Sequence, residues 1–402
     1  MMIEMKNKKW YLMLTAVCLM LLTSCHRESG NAPLVVNTPG TGSSEAQLVD
    51  YGDVRLAQMK RKLANSNQEK VHILQLGDSH TAADFFSGQL RQHFQQQYGD
   101  GGAGFVSPVA VPGNRYDQVV FGKARGWSLI TSRRNSDPAF TLGGNIATPM
   151  QAGNSAQFAT RNGDDMQVQA LYRNQADSVL QLSGQRVTLP DSQARWQLSA
   201  PVTTHSPVNY SLSAGAGSQL AGWLLRSPRA GGVMLSALGI NGAQVTMLDK
   251  WHLNWPSTLQ ALQPDMVILA YGTNEAFDRQ LDLQRYQQNY QQYVQTIRQR
   301  LPNTVILLVG PGSSISNKNG ASCLQRQPEN LKAIIEVQRE VARANQALFW
   351  NWFDYMGGDC AIEKWNAQGY ARNDLIHLSQ QGYQRSADAL WQQFSTLLQA
   401  AK

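Results

Sequence analysis

Five short apolar runs alternate with longer amphipathic ones, and that alternation restricts the fold more than anything else in the chain. "VHILQL" (71–76), "GVMLSALGI" (232–240), "DMVILAYG" (265–272), "TVILLVG" (304–310) and "ALFWNWF" (347–353) read as buried strands. Helical patterns cover 82–98, 243–253, 281–301, 328–346 and 379–400. Strands without polar alternation, each followed by a helix, predict a parallel sheet covered on both faces. In such sheets, chemistry gathers beyond the carboxyl ends of the strands.

One interval breaks the rhythm. Between Tyr98 and Gly232 helical periodicity fades and turn residues recur, as in "RNGDD", "QLSGQ", "TLPDS" and "SAGAGS". Short alternating runs such as "MQVQALYR", "SVLQLS", "RWQLSA" and "VNYSLSAG" lie between them. Evenly spaced short strands with turn signals predict a β-sandwich, placed at 115–228 as an all-β insertion in an α/β domain at 51–114 and 229–402.

The first strand ends in Gly77-Asp78-Ser79 just before a helix. A serine there can be a helix N-cap, or a nucleophile at amides suited to a developing oxyanion. Three further segments bear on the choice: "GING" (239–242), "YGTNE" (271–275) and "NDLIHLSQQGY" (373–383). Each follows a strand or opens a helix. His377 is the natural general base, because imidazole titrates near neutrality, and Asp374 is close enough to orient it. The amides of Ser79 and Gly242 and the side chain of Asn274 supply oxyanion donors. His80 is expected to be a neighbour of the site and not its base. His72, His93 and His252 read as packing or surface residues. Asp354 ranks behind Asp374, and the aromatics Trp350, Trp352, Phe353 and Tyr355 read as core before sugar platform.

Gly77-Asp78-Ser79, the glycine of "GING", Gly272-Thr273-Asn274 and Asp374-x-x-His377, in that order, resemble the four blocks of SGNH (GDSL-type) hydrolases. The leucine usual after the serine is histidine here. The resemblance spans 51–112 and 229–402 and implies a three-layer α/β/α sandwich that hydrolyses acyl esters through an acyl-serine. It makes Ser79 the nucleophile, His377 the base, Asp374 its orienter, and Asn274 and Gly242, in preference to Gly239, oxyanion residues. It implies no cofactor and no metal.

Lys6, Lys8 and Lys9 precede an apolar stretch from Tyr11 to Leu22, of signal-peptide length and too short to span a bilayer. Leu22-Thr23-Ser24-Cys25 resembles a lipobox, which implies a lipoprotein signal at 1–24, Cys25 as the lipidated residue and a flexible tether at 25–50; an ordinary secretory signal with an incidental cysteine is the alternative. The expected location is the periplasm, lipid-anchored at the outer membrane, since His26 and not Asp follows the cysteine. Cys323 and Cys360 are expected to pair in that compartment; two free buried thiols are the alternative. The net charge of +7 is dispersed, which suits anionic polymers and lipid headgroups without indicating nucleic acid.

A lipobox together with an inserted β-domain resembles the periplasmic lipoprotein peptidoglycan O-acetylesterases, whose β-domain is similar to a carbohydrate-binding module. The resemblance implies removal of acetyl from the C6 oxygen of N-acetylmuramic acid through an acetyl-serine. The alternatives are acetyl transfer to a polysaccharide, an esterase for another acetylated glycan, and a glycan-binding protein without activity. A lipase or thioesterase fits less well, because no long apolar lid segment is present.

Overall fold

The computed structural model describes residues 34–36, 48–316 and 319–399. The signal segment and Cys25 lie outside the described residues. All five apolar runs form strands of one sheet, in the order Leu34–Val36, Leu48–Asp50, Leu348–Trp350, Val305–Val309, Met266–Ala270, Lys70–Gly77, Gly232–Gly239. The five core strands run parallel, and the pair Lys70–Gly77 and Gly232–Gly239 stays in register from Lys70↔Gly232 to Gly77↔Gly239. Leu48–Asp50 and Leu34–Val36 add antiparallel at one edge, so the stretch read as a tether ends inside the sheet. Leu48 and Val49 are buried there, an apolar pair too short to stand out from the Ser/Gly/Thr-rich sequence before it.

Side chains alternate faces along each strand. Ile73, Val233, Leu235, Ile268 and Leu307 pack under the helices Leu56–Ala64, Phe86–Tyr98 and Gln380–Gln399. Leu74, Leu76, Val267, Leu269, Ile306 and Leu308 face the helices Trp255–Leu262, Leu283–Arg300 and Leu331–Ala344. Burying each such side chain stabilises by about 1.5–3 kcal/mol, so both layers hold the sheet.

Several elements differ from the sequence reading. The helical pattern at 243–253 is a 3-10 helix over Val245–Trp251, and the helix after it, Trp255–Leu262, was not expected. The run 347–353 is a strand only over Leu348–Trp350; Trp352–Met356 is a helix whose first turn is capped by Asn351, which accepts from the Asp354 amide at 3.1 Å. Trp350, Trp352, Phe353 and Tyr355 are all buried, as core. The helix read over 82–98 is two, Ser79–Ala82 and Phe86–Tyr98.

Between Tyr98 and Gly232 the regular elements are all strands. This interval opens at Gly104–Val106, ahead of residue 115, and closes with Gln219–Arg226. Its strands build two antiparallel sheets, of five and seven strands. Phe158, Leu180 and Tyr210 of the five-stranded sheet meet Val168, Tyr172 and Trp223 of the other. The opposite face of the seven-stranded sheet, through Phe105, Leu171 and Leu224, enters the same core as the α/β body's Leu74 and Leu238. Burial on both faces explains why "QLAGWLLR" lacks alternation.

Candidate active site

The turn after the Lys70–Gly77 strand answers the question raised by Ser79. Asp78, not Ser79, caps the short helix: its carboxylate accepts from the His80 amide at 2.9 Å. The serine hydroxyl is thereby left for another partner, and it lies 2.9 Å from Nε2 of His377. Nδ1 of His377 lies 2.8 Å from Oδ2 of Asp374. The other carboxylate oxygen of Asp374 accepts from the amides of Ile376 and His377, both at 2.9 Å. The Asp-x-x-His turn thus stabilises its own geometry, with Leu375 in the left-handed region at φ +58°. Arg372 donates its amide to the His377 carbonyl at 2.8 Å, closing the turn. Both residues precede the helix Gln380–Gln399, so the pair sits in a loop before it.

Burial pushes the Asp374 carboxyl up, but hydrogen bonds from the His377 ring and from two amides outweigh it and hold the group below its ordinary value. An ionised Asp374 takes the proton of Nδ1 as a hydrogen bond, which leaves the Nε2 lone pair facing the Ser79 hydroxyl. His377 and Asp374 keep 32% and 41% of their side-chain surface, so the triad opens to solvent and a large substrate can reach it.

The two other turns at this sheet end supply hydrogen-bond donors. Gly242 adopts φ +80° with open space around a notional Cβ, so the backbone angle and not crowding demands glycine. Gly239 differs: a Cβ there would meet the Ala82 amide at 2.0 Å, a packing requirement under the Ser79 helix. Asn274 donates one side-chain N–H to the Ala243 carbonyl at 2.8 Å, which fixes the amide and leaves its second N–H. Glu275, only 1% exposed, accepts from the Val245 amide at 2.7 Å. Burial, with the nearby Asp78 adding to it, pushes its carboxyl up to about 8. Asp78, buried beside it, is pushed up to about 7.

Sequence reading did not single out Glu275, because an acid in the first turn of a helix ordinarily signals solvated macrodipole pairing. His80 is buried, its Nδ1 2.8 Å from the Tyr383 hydroxyl and its ring 5.4 Å from that of His377. Burial, then the neighbouring His377, lowers its pKa to about 3, so it stays neutral beside the triad. His72 is buried against the Leu262 carbonyl and Ser236, His93 pairs with Asp388, and His252 bonds the Asp249 carbonyl. None of these three joins the triad. Asp354 stays with Asn351 in its own short helix. Cys323 and Cys360 form a disulfide.

Residues 208–385 match the family model of the GDSL-like lipase/acylhydrolase family, and 101–209 match that of the peptidoglycan O-acetylesterase N-terminal region. A solved structure described as a peptidoglycan O-acetylesterase in action is 34% identical, with TM-score 0.81 over 89% of this chain and 100% of its own. The chain belongs to the peptidoglycan O-acetylesterase family. The acylhydrolase match includes Gly242, Asn274, Asp374 and His377 but begins well after Ser79, whose hydroxyl the fold brings to His377. Family membership makes the chain an esterase with a GDSL-type acylhydrolase domain. Two further structures align over less of the chain. A GDSL-like lipase from Parabacteroides merdae is 21% identical, with TM-score 0.34 over 42% of this chain and 74% of its own. An acetyl xylan esterase is 20% identical, with TM-score 0.32 over 40% and 79%. At these TM-scores neither bears on the argument. No curated protein matches the chain.

Proposed function

We propose that this enzyme removes O-acetyl groups from peptidoglycan, at the C6 oxygen of N-acetylmuramic acid, through an acetyl-serine. The observation that carries the reading is the Ser79–His377–Asp374 relay in a chain 34% identical to a peptidoglycan O-acetylesterase. Ser79 Oγ bonds to the acetyl carbon while its proton passes to Nε2 of His377. The tetrahedral oxyanion accepts from the amides of Ser79 and Gly242 and from the second N–H of Asn274. Collapse breaks the bond to the sugar oxygen, which takes the proton from Nε2. Water, deprotonated by the same nitrogen, then attacks the acetyl carbon; the bond to Oγ breaks, Ser79 takes the proton back from Nε2, and acetate leaves.

The acetyl group is small, so saccharide contacts carry most of the binding. The antiparallel sheets at 104–226 fused to the site support a second part of the reading, that this region grips glycan as a carbohydrate-binding module does. The leader pattern supports anchoring through Cys25 at the periplasmic side of the outer membrane. Acetyl transfer is the second reading, favoured by the open site, where a sugar hydroxyl could replace water.

The test is acetate release from O-acetylated peptidoglycan by wild type and by Ser79→Ala, with de-O-acetylated polymer as blank. Release by wild type alone is expected. Release only after adding a sugar acceptor would select transfer, and cleavage of aryl acetates without release from the polymer would discard peptidoglycan as substrate.

A further inference from the structure

A cavity of about 350 Å³ adjoins the triad. Ile376, immediately before His377, forms one side of it, and Ala276 and Phe277, just beyond Asn274 and Glu275, form another. The two turns that position the base and the oxyanion asparagine therefore extend directly into its walls. The far wall is the segment carrying Gln325 and Gln327.

That wall is built and held in place. The Cys323–Cys360 disulfide ties the segment to the chain beyond the last strand. Gln327 bridges the same junction, accepting from the Cys360 amide at 3.0 Å and donating to Asp359 at 2.9 Å. Ser322 and Gln325 cap the short Cys323–Arg326 helix reciprocally. Asn330 donates to the Asp278 carbonyl at 2.7 Å, joining the far wall to the near one. Ordering is therefore complete before a ligand arrives, which lowers the entropic cost of binding.

Arg279 lines this cavity, is exposed, and makes no ion pair or hydrogen bond among the described residues. Glu329, also lining it, has no ion pair among them either. A guanidinium with no ion pair among the described residues, on the lining of a polar cavity, suits a carboxylate through two parallel N–H···O bonds. Glu329 suits hydroxyl or amide N–H donors on the same ligand.

We propose that this cavity is a subsite for a carboxylate-bearing saccharide, with Arg279 pairing the carboxylate while the neighbouring ester lies at Ser79. On the peptidoglycan reading, on which the subsite rests, the carboxylate belongs to the acidic peptide substituent of the acetylated sugar. The subsite sets specificity, because Arg279 acts on the substrate's charge at a distance from the reacting carbonyl.

The experiment measures kcat/KM for O-acetylated peptidoglycan and for an aryl acetate in wild type, Arg279→Gln and Arg279→Lys. The polymer's carboxylates are also converted to amides in a parallel batch. In Arg279→Gln the ratio of the polymer value to the aryl acetate value falls about tenfold, the effect expected from one lost charge-assisted pair, mainly through KM. Arg279→Lys recovers part of it, and the amidated polymer erases the difference between wild type and Arg279→Gln. An unchanged ratio in Arg279→Gln would overturn the subsite, as would equal loss on both substrates. Wild type cleaving aryl acetate but neither batch of polymer would instead remove the peptidoglycan reading, and the assigned ligand with it.

Discussion

Asn274 and Glu275, consecutive in the chain, hold two points of one loop: Asn274 binds the Ala243 carbonyl at 2.8 Å and Glu275 the Val245 amide at 2.7 Å. That loop begins at Gly242. The third turn of the site is thus tied to the second, so Asn274 and the Gly242 loop are held as one unit.

Replacing Glu275 separates its shape from its charge. Glu275→Gln keeps the acceptor for Val245 and is expected to hold kcat within about threefold at pH 7, whereas Glu275→Ala loses about 10–100-fold by loosening one oxyanion donor. Burial and Asp78 raise the folded pKa of Glu275 to about 8, so the folded state retains a proton that the unfolded chain has already released. Stability from this group is therefore lost progressively as pH rises from about 4.5, the ordinary glutamate region, through 8. Asp78 acts in the same direction, with Tyr271, Tyr286 and Tyr290 as the other titratable groups around the site. Thermal melting from pH 5 to 9 should fall less steeply in Glu275→Gln than in wild type; parallel curves would refute the assignment.

Asp374→Asn tests the tautomer argument. An asparagine amide facing Nδ1 favours the proton on Nε2, where it blocks transfer from Ser79. A fall in kcat of about 10³–10⁴ with little change in KM is expected in steady-state assays on aryl acetate. A loss below tenfold would mean that another group orients His377.

His80 and His72 destabilise the fold in acid. Burial depresses their pKa values to about 3 and about 4, so the unfolded chain binds protons that the folded one refuses as pH falls below about 6.5. Stability should decline from there toward pH 4. His80→Leu should flatten that limb in melting curves, and at neutral pH the lost bond to Tyr383 should show as a modest drop in melting temperature.

Cys323→Ser with Cys360→Ser opens a loop spanning 37 residues, and chain-entropy arguments set the cost at roughly 2–4 kcal/mol. Chemical denaturation under oxidising conditions measures it. An unchanged midpoint would show that the surrounding hydrogen bonds alone hold the segment.

The central sheet was legible because its strands are buried on both faces and carry no polar alternation. The Ser79–His377–Asp374 arrangement was legible because Asp374 and His377 share one turn and Ser79 opens a helix two residues past a strand end, so local spacing already brought most of the geometry. Trp352–Met356 was misread because an aromatic run of strand length has no period of its own; Asn351 as its cap was the only signal. The short helix Leu56–Ala64 escaped notice because its apolar stripe is only Leu56, Met59 and Leu63 in a charged sequence. Glycines disguised the Gly104–Val106 strand. Nothing local told that the seven-stranded sheet would bury its second face, since that depends on the α/β body packed against it, Leu74 and Leu238 among its residues. The role of Glu275 was hidden because the amide it holds, that of Val245, lies 30 residues away.

The shared core of the seven-stranded sheet and the α/β body has a mechanical consequence. Phe105, Leu171 and Leu224 anchor one part in the other as rivets join two plates, so both parts share one set of buried contacts. A substitution made to weaken the glycan-facing part would therefore be felt under the strand that carries Ser79, and binding and catalysis are tied through one core.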